Sequence, residues 1–334
     1  MIKVNVKRII EPQECCFRAH YGNKDYISQG GGMSVLGINM SSELFSVDFV
    51  EDWHIDSKFV SSGALKGSAE LYFLEFEDAM LIYGVLGHLN SIKESVFNNF
   101  ISIFKELKEK NFITLIRSWN FIPFINQSDE AGLENYKAFC QGRALAFESA
   151  GIDDFKMPAA TGIGSHAKNI FGYLVAAKNS NYKNLDNPLQ MPAYRYPRRY
   201  GPKSPSFSRA TVKDCVRGDG SIQIFISGTA SIRGHQTLWE GDVEKQVNMT
   251  MENIEYLISR ENIDRHGFDF SLNKISDIDC FKIYFRIFED KERIESILIY
   301  NWGICRSKLF FMNVDICRSD LLVEIEGVVN DASV

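Results

Sequence analysis

The predicted helices and strands follow a similar order in both halves of the chain, and this repeat constrains the fold more than any other feature. In the first half, strands at 69–76 and 79–87 precede a helix over 92–110, a strand at 113–125 and a helix that begins at 128–130. Helices that alternate with strands in this way are typical of sheets covered by helices. The first half therefore predicts an α/β or α+β unit.

The second half contains four strands and two helices: strands 221–232, 280–288, 308–317 and 321–329, a helix capped by Thr250, and a helix over 290–301. We therefore predict two fused units, each with a mixed sheet and helices packed on one face. We place these units at residues 1–156 and 157–334. Residues 157–208 are rich in Gly, Pro, Asn and Arg, which predicts a connector that carries function, with its Arg- and Pro-rich part at 187–210.

The composition is that of a globular protein, with 45% apolar residues and a formal net charge of −6. No stretch approaches the roughly 18 uncharged apolar residues of a membrane span. The N-terminal MIKVNVKRII alternates as a strand does and lacks the apolar core of a signal peptide. Seven scattered cysteines without a CxxC are typical of reduced thiols in a cytoplasmic protein, and the spacing of the six histidines gives no indication of a metal site.

The segment from Pro192 to Arg209 carries positive charge only, although the chain as a whole is acidic. Four prolines stiffen it, and three tyrosines and a phenylalanine are interleaved with five basic residues: Arg195, Arg198, Arg199, Lys203 and Arg209. Nucleic-acid binding normally uses a wider basic face. We therefore expect this segment to bind a small anion or an acidic part of its own chain, with some of the three central arginines in internal ion pairs.

The closing strand reads VEIE, which places Glu324 and Glu326 on one face and Val323 and Ile325 on the other. Two carboxylates about 7 Å apart raise each other's pKa, and burial would raise it further. One of them could then act as a general acid near pH 7. The alternative is an ordinary strand whose acidic face lies in solvent.

Three other patterns could bind an anion. Tyr136, Cys140 and Arg143 fall on one stripe of a helix, where the guanidinium could hold a carboxylate. The segments SGTASIRGH at 227–235 and PAATGIG at 158–164 could form turns that offer backbone N–H groups. The structural alternatives are an amphipathic helix with a solvated Arg and two tight turns, and neither segment has the spacing of a nucleotide-binding loop.

Six stretches together resemble the chorismatase family: RSWNFIPFIN (117–126), YKAFCQGRALAF (136–147), PAATGIG (158–164), NPLQMPAYRYPRRYGPKSPSFSRA (187–210), ISGTASIRGH (226–235) and DICRSDLLVEIEG (315–327). The first ~100 residues resemble the family only in general character. The VEIEG motif also resembles the end of the YjgF/RidA enamine deaminases. The resemblance implies two fused YjgF/RidA-like, chorismate-mutase-like units in a trimer-like, pseudo-symmetric arrangement within one chain.

The same resemblance implies cleavage of chorismate, a dianion, at its enolpyruvyl ether, without a metal or other cofactor. The reaction requires a protonated carboxylic acid in a dry pocket, and the family motif points to Glu324, with Glu326 as the alternative. We expect four side chains to bind the substrate, together with backbone N–H groups of one turn: Tyr136, Arg143, Tyr194 and Arg209, with Ser227, Gly228 and Thr229.

Two pocket positions relate to the product in this family, and here they disagree. Cys317, seven residues before Glu324, resembles members that release pyruvate and 3-hydroxybenzoate. Ala230 resembles members that hydrolyse chorismate to pyruvate and a dihydroxycyclohexadiene carboxylate. We favour 3-hydroxybenzoate because a thiol can take part in proton transfer, and 4-hydroxybenzoate stays open as a second product. The structural alternative for Cys317 is a small buried apolar residue.

Functions of two other classes stay open from the sequence. An enamine or imine deaminase is supported by the final motif alone, and an anion- or RNA-binding protein would use the basic segment. The acidic net charge argues against nucleic acid. We expect no nucleic-acid or membrane partner, a cytoplasmic location, and a monomer rather than a trimer because two units are fused in one chain.

Overall fold

The computed structural model describes residues 2–8, 15–30, 33–129, 132–153, 156–178, 181–213, 222–270, 272 and 274–332. Within these residues the strands form three large sheets and one two-stranded ribbon, and five α-helices accompany them. None of these helices combines the length and the apolar character that a membrane crossing requires.

The first sheet has five strands in the order β1-β5-β2-β4-β3: β1 (Ile2–Lys7), β2 (Phe17–Gly22), β3 (Tyr26–Gly30), β4 (Met33–Asn39) and β5 (Phe49–Ile55). The predicted N-terminal strand is confirmed as β1. The prediction of two units nevertheless omitted this sheet. Its strands are short, and polar residues and glycines interrupt their apolar alternation, as Gln29 and Gly37 do.

The second sheet has six strands in the order β10-β9-β11-β8-β7-β6: β6 (Phe59–Ala64), β7 (Leu71–Phe76), β8 (Ala79–Gly87), β9 (Thr114–Pro123), β10 (Ala159–Ser165) and β11 (Ile170–Ala177). Helix α1 (Ile92–Glu109) connects β8 to β9, and α2 (Asn135–Ser149) connects β9 to β10. Both helices bury apolar stripes against one face of the sheet, where Phe100 and Phe147 meet Leu86, Ile122 and Leu174 in one cluster.

The third sheet has six strands in the order β12-β13-β14-β19-β17-β18: β12 (Tyr182–Leu185), β13 (Ala210–Lys213), β14 (Ile222–Ala230), β17 (Cys280–Phe285), β18 (Leu309–Asn313) and β19 (Val323–Ala332). The ribbon β15 (Ile232–Arg233) and β16 (Gln236–Thr237) follows β14, and the helices are α3 (Val243–Leu257), α4 (Arg260–Arg265) and α5 (Lys291–Tyr300). Val247 and Leu298 of the helices pack against Ile224, Ile283 and Ile325 of the sheet.

The second and third sheets have the same topology, which confirms the prediction of two related units with helices on one face. The parallel pair β9 and β10 corresponds to β17 and β18, and β11 corresponds to β19, which lies antiparallel between β14 and β17. The change of sheet falls between Ala177 and Tyr182, so β10 and β11 belong to the second sheet. The domain division at residue 156 stays a prediction.

The faces without helices meet the N-terminal sheet in a shared aromatic core. Each sheet contributes one large ring to its centre: Trp53, Trp119 and Phe225. The Trp53 ring centroid lies 5.3 Å from that of Trp119 and 6.0 Å from that of Phe225. Such pairs contribute about 0.5–1.5 kcal/mol each beyond burial, so this cluster joins the three sheets.

Two predicted helix starts were wrong. Helix α2 begins at Asn135, because the preceding residues form a turn in which the Leu133 N–H donates to the Asp129 side chain and the Asp129 N–H donates to the Leu133 carbonyl. The predicted start also included Glu130, which lies outside the described residues. Helix α3 is capped by Asp242, whereas Thr250 lies in mid-helix and donates to the Gln246 carbonyl.

The predicted connector and both predicted Gly-rich turns were partly wrong. Strands β10, β11 and β12 occupy much of residues 157–208. The PAATGIG segment lies in β10, which pairs in parallel with β9, and residues 227–230 form the end of β14. The glycines there serve close packing rather than turns, since a Cβ on Gly164 would lie 2.5 Å from the Asp315 carbonyl oxygen.

Candidate active site

A cavity of about 230 Å³ opens where α2, β10, β14 and β19 meet the Arg- and Pro-rich segment. Six residues that were named from the sequence line this cavity: Tyr136, Cys140, Arg143, Arg209, Cys317 and Glu324. Strand β19 provides Glu324, helix α2 provides the first three of these residues, and the segments before β13 and β19 provide Arg209 and Cys317.

Glu324 lies in the cavity wall with only 4% of its surface exposed. Its neighbours across the sheet are Ala230 on β14 and Tyr284 on β17. A Cβ on Gly228 would lie 2.0 Å from Glu324 Oε1. Only a glycine at this irregular point of β14 therefore leaves room for the carboxyl group.

Glu326 lies two residues further along the same face of β19, outside the cavity lining, with 1% of its surface exposed. Its Oε1 accepts from Trp119 Nε1 at 2.8 Å and pairs with Lys282 Nζ at 2.7 Å. Its Oε2 accepts from Arg117 Nη2 at 2.9 Å and from the hydroxyl of Thr161. Four donors, two of them cationic, therefore hold this carboxylate in its ionised form.

The two glutamates consequently have opposite acidities. Burial, reinforced by the negative charge of Glu326, raises the pKa of Glu324 from 4.5 to about 8. Burial acts in the same direction on Glu326, but Lys282 and Arg117 outweigh it and lower the pKa of that carboxyl. At neutral pH the cavity therefore contains a protonated carboxylic acid, and the solvent-facing alternative for this strand was wrong.

Cys317 lies beside the acid, with its Sγ 3.7 Å from Glu324 Oε2. Burial, together with the Glu324 charge, raises the pKa of the Cys317 thiol well above its usual range. The thiol therefore stays protonated at neutral pH, where it can donate a weak hydrogen bond to the carboxyl but is a poor nucleophile.

Arg143 is a buried cation, 4% exposed, and it has no carboxylate partner within the described residues. Its Nη1 donates to the Ser206 carbonyl at 2.6 Å, whereas Nε and Nη2 have no partner in the described part of the chain. Burial lowers the pKa of its guanidinium to about 10, so the side chain is still charged at pH 7. An unpaired buried cation of this kind is costly unless an anion binds beside it.

Arg209 provides a second buried guanidinium in the cavity wall. Its Nη2 donates to the Met191 carbonyl and to the Tyr196 hydroxyl, both at 2.8 Å, and its Nε has no partner among the residues that the structure describes. Tyr136 is half-buried and lines the cavity. Burial raises the pKa of its phenol, so the hydroxyl stays protonated. The cavity therefore has two anion-binding groups and a neutral hydroxyl.

Of the other predicted site residues, Tyr194, Ser227 and Thr229 lie outside the cavity lining, whereas two lie in it. The Tyr194 hydroxyl donates to Asp186 and the ring lies outside the cavity lining. Ser227 and Thr229 are buried in β14, where their hydroxyls donate to the carbonyls of Ser208 and Ser227. Gly228 and Ala230 line the cavity.

The predicted backbone donors are also engaged within the protein. The Ser227 N–H donates to the Arg209 carbonyl and the Gly228 N–H donates to the Thr161 hydroxyl. These two N–H groups are therefore not free for an anion, because the segment continues a strand instead of forming an open turn, and the role of Thr229 stays a prediction.

The sequence interpretation missed the residues that surround Glu326. Arg117, Thr161 and Lys282 lie on β9, β10 and β17, and all three are almost fully buried. A signal existed in CFKIYF, where a lysine interrupts an apolar strand. Buried lysines are rare unless they are paired, so this pattern could have indicated an internal ion pair.

Arg318 and the basic segment form the rim of the cavity. The Arg318 guanidinium lies 4.0 Å from the Tyr200 ring centroid, and Arg199 contacts His235 at 2.9 Å. The internal ion pairs predicted for Arg195, Arg198 and Arg199 do not occur within the described residues, where Lys203 pairs with Glu148 instead.

Comparison with known proteins gives a consistent result. A family model described as "Chorismatase FkbO/Hyg5-like, N-terminal" matches residues 61–176. The chain is 42% identical over 237 residues to a "3-hydroxybenzoate synthase" from Streptomyces hygroscopicus, covering 69% of this chain and 67% of that protein. A "Chorismatase" from the same organism is 35% identical over 281 residues, covering 84% and 79% of the two chains.

The fold also resembles that of a solved chorismatase structure. A crystal structure of a chorismatase superposes with a TM-score of 0.90, covers 98% of both chains and is 29% identical in sequence. The E. coli YjgF gene product covers 44% of this chain and 98% of its own, with a TM-score of 0.30 and 15% identity.

Proposed function

The chain belongs to the chorismatase family, and on that premise we propose that it splits chorismate into pyruvate and 3-hydroxybenzoate. It is an enzyme of this family and acts on a small molecule. The observation that carries the proposal is the burial of Glu324 in the cavity wall, which raises the pKa of its carboxyl to about 8, with the Cys317 thiol 3.7 Å away. The relative named for 3-hydroxybenzoate synthesis supports this product.

Arg143 and Arg209 are our candidates for holding the two carboxylates of chorismate. Arg143 Nε and Nη2 and Arg209 Nε have no partner among the described residues, and both side chains line the cavity. A guanidinium fork suits a carboxylate because its parallel N–H groups match the two oxygens. Binding of the dianion would neutralise the buried charge of Arg143, so substrate affinity and the cost of burying this residue are linked.

In the first chemical step, Glu324 transfers its proton to the terminal methylene carbon of the enolpyruvyl group. This creates a methyl group and an oxocarbenium ion, while Glu324 becomes a carboxylate that stabilises the positive charge. Burial and the nearby negative charge of Glu326 raise the pKa of Glu324. The raised pKa favours both the protonated state before the reaction and the return of a proton to Glu324 after it.

The second chemical step determines the product. In the route that we propose, the oxygen of the neighbouring ring hydroxyl bonds to the ring carbon that carries the ether as the pyruvyl oxygen leaves. Its original bond to the ring then breaks, and the ring loses a proton and aromatises. No water is added, and the atoms of chorismate equal those of pyruvate plus hydroxybenzoate. Cys317 is our candidate for handling a proton in this step, because its neutral thiol lies against the carboxylate that the first step leaves behind.

The test is incubation of the purified protein with chorismate, with pyruvate measured by a coupled assay and the ring product separated against authentic standards. We expect pyruvate and 3-hydroxybenzoate in equal amounts. Pyruvate with the dihydroxycyclohexadiene carboxylate would retain the family chemistry but overturn the internal displacement, and Ala230 would then be the better indicator. Absence of pyruvate would overturn the proposed activity.

We also propose that the enzyme is a cytoplasmic monomer without a nucleic-acid partner. In support, the three sheets already close around one core within a single chain, and the net charge is −6. Light scattering coupled to size exclusion should give a mass near the 38.1 kDa of one chain. A mass of three chains would overturn the monomer.

A further inference from the structure

A buried cluster of four charges crosses the centre of the molecule and lies next to Glu324. It consists of Glu51 on β5, Arg117 on β9, Lys282 on β17 and Glu326 on β19, and each of these side chains is at most 1% exposed. Lys282 Nζ lies 2.5 Å from Glu51 Oε2 and 2.7 Å from Glu326 Oε1. The cluster contains two negative and two positive charges and connects all three sheets.

The hydrogen bonds around Glu326 hold its side chain in the ionised carboxylate form. Trp119, Lys282 and Arg117 can only donate to it. The Thr161 hydroxyl accepts from the Gly228 N–H and from Arg117, so its own proton points at Glu326 Oε2. A protonated Glu326 would lose at least one of these four bonds.

Glu324 experiences this fixed charge at short range, since residues two apart on a strand are about 7 Å apart on the same face. The charged and titratable groups that face Glu324 or line the same cavity come from every neighbouring element: Glu326 on β19, Tyr284 on β17, Arg117 on β9, Tyr136, Lys137, Cys140 and Arg143 on α2 with Glu134 just before it, and Tyr196, Arg199, Tyr200, Arg209, Cys317, Arg318 and Asp320 from the flanking segments. Glu326 is the only carboxylate of this set that touches none of the open cavity.

We propose that Glu326 is a positioning residue that keeps Glu324 protonated, by holding a permanent negative charge beside it that Arg117, Lys282, Trp119 and Thr161 maintain. The inference rests on the proposed role of Glu324 as the acid. Glu326 itself transfers no proton, because its two oxygens are fully engaged and lie outside the cavity lining. Thr161 links the two functions, since it holds Glu326 and also the Gly228 backbone that makes room for Glu324.

The expected effect is large enough to measure. Two unit charges about 7 Å apart at an effective dielectric constant of about 20 shift a titration by roughly one to two pH units. Glu326→Gln should therefore move the ionisation of Glu324 to lower pH by this amount. The alkaline limb of kcat/KM for pyruvate release should move with it, and activity at pH 8 should fall more than activity at pH 5.5.

Glu51→Gln is the matched control. It removes the same charge from the same Lys282 partner, but Lys282 lies between Glu51 and Glu326, and Glu51 is on β5, whereas Glu326 shares a strand face with Glu324. We expect its alkaline limb to shift by less than half as much. If Glu326→Gln folds poorly, the double variant Lys282→Met with Glu326→Gln restores the charge balance. Its midpoint should shift in the same direction but by less, because the loss of the Lys282 cation opposes the loss of the Glu326 anion.

A measurement that needs no turnover separates this inference from the proposed activity. The carboxyl carbon of Glu324 can be titrated by NMR in protein labelled with ¹³C-glutamate, with the Glu324→Gln variant used for assignment. A midpoint that falls in Glu326→Gln and hardly moves in Glu51→Gln supports the inference, whatever the substrate. Equal midpoints in wild type and Glu326→Gln would overturn it, even if chorismate is cleaved.

Discussion

Glu324 and Glu326 are the same residue type on the same face of one strand, yet their surroundings give them opposite properties. Glu326 accepts from four donors and is held ionised, whereas Glu324 has a glycine and a neutral thiol beside it and stays protonated. Burial is nearly equal at the two sites. The difference therefore comes from the partners and not from the depth of the site.

Different partners explain the opposite acidities of two carboxylates on one strand. A buried carboxyl without partners becomes an acid, and a buried carboxyl with cationic partners becomes a fixed charge. The open cavity lies at the first site and the closed centre of the three sheets at the second. Single substitutions can alter one side of this comparison at a time.

The largest effect should come from Glu324→Gln, which keeps the shape of the side chain but removes the transferable proton. We expect the rate of pyruvate release to fall by roughly 10²–10⁴-fold, the usual contribution of a positioned acid. The control is Glu106→Gln on α1, a buried glutamate near Lys110 and away from the cavity, which should keep its rate. A near-normal rate in Glu324→Gln would remove this residue from the mechanism.

Arg143→Met should have the next largest effect, because it removes the buried cation that an anion would neutralise. We expect kcat/KM for chorismate to fall by roughly 30-fold or more, from the loss of one buried charged contact. The free protein should not be destabilised, because the guanidinium has no carboxylate partner among the described residues. Arg293→Met, a surface control paired with Glu244, should leave kcat/KM unchanged. Loss of stability with normal kcat/KM would contradict the assignment.

Gly228→Ala should displace the acid, since its Cβ would meet Glu324 Oε1 at 2.0 Å. A displacement of about 1 Å can cost roughly 10²-fold in rate. Gly63→Ala on β6 is the matched control, because its Cβ would come no closer than 3.5 Å to Phe73. If both variants keep full activity, the Glu324 carboxyl does not need the position that the structure gives it.

Cys317→Ala should change the product more than the rate. We expect pyruvate release to fall only several-fold and the share of 3-hydroxybenzoate to decrease in favour of the hydrolysis product, because a proton carrier is lost. Chromatography of the ring products measures the ratio. An unchanged ratio would assign Cys317 the role of a small buried residue.

The smallest effect concerns stability and pH. Because folding raises the pKa of Glu324 from 4.5 to about 8, its contribution to stability is complete below pH 4.5 and is lost as the pH rises towards 8. Glu324→Gln has no such loss. It should melt at nearly the wild-type temperature at pH 5 and some degrees higher at pH 8.5, and an equal difference at both pH values would contradict the raised pKa.

The repeated order of elements and the face shared by the two glutamates could be predicted from the sequence, because both depend on local periodicity. The environment of Glu326 could not, since Arg117, Thr161 and Lys282 come from three other strands. The roles of residues 227–230 were misjudged for a related reason. A run of Ser, Gly and Thr resembles a turn locally, but pairing with β19 makes it a strand.

The N-terminal sheet illustrates the same limit. Its strands give weak local signals, yet Trp53 and Glu51 complete the aromatic core and the charge cluster. The resemblance to the chorismatase family rested on residues after about 113, so it could not indicate these partners. Long-range contacts determine which of the two similar glutamates has the raised pKa.

Difference infrared spectroscopy of the free protein is the most direct test that Glu324 is protonated while Glu326 is ionised. At pH 6.5, the spectrum of wild type minus that of Glu324→Gln should show the C=O band of a protonated carboxylic acid, and this band should weaken as the pH rises through about 8. Wild type minus a folded Glu326→Gln variant should show carboxylate bands belonging to Glu326. Carboxylate bands alone for Glu324 at pH 6.5 would contradict the account.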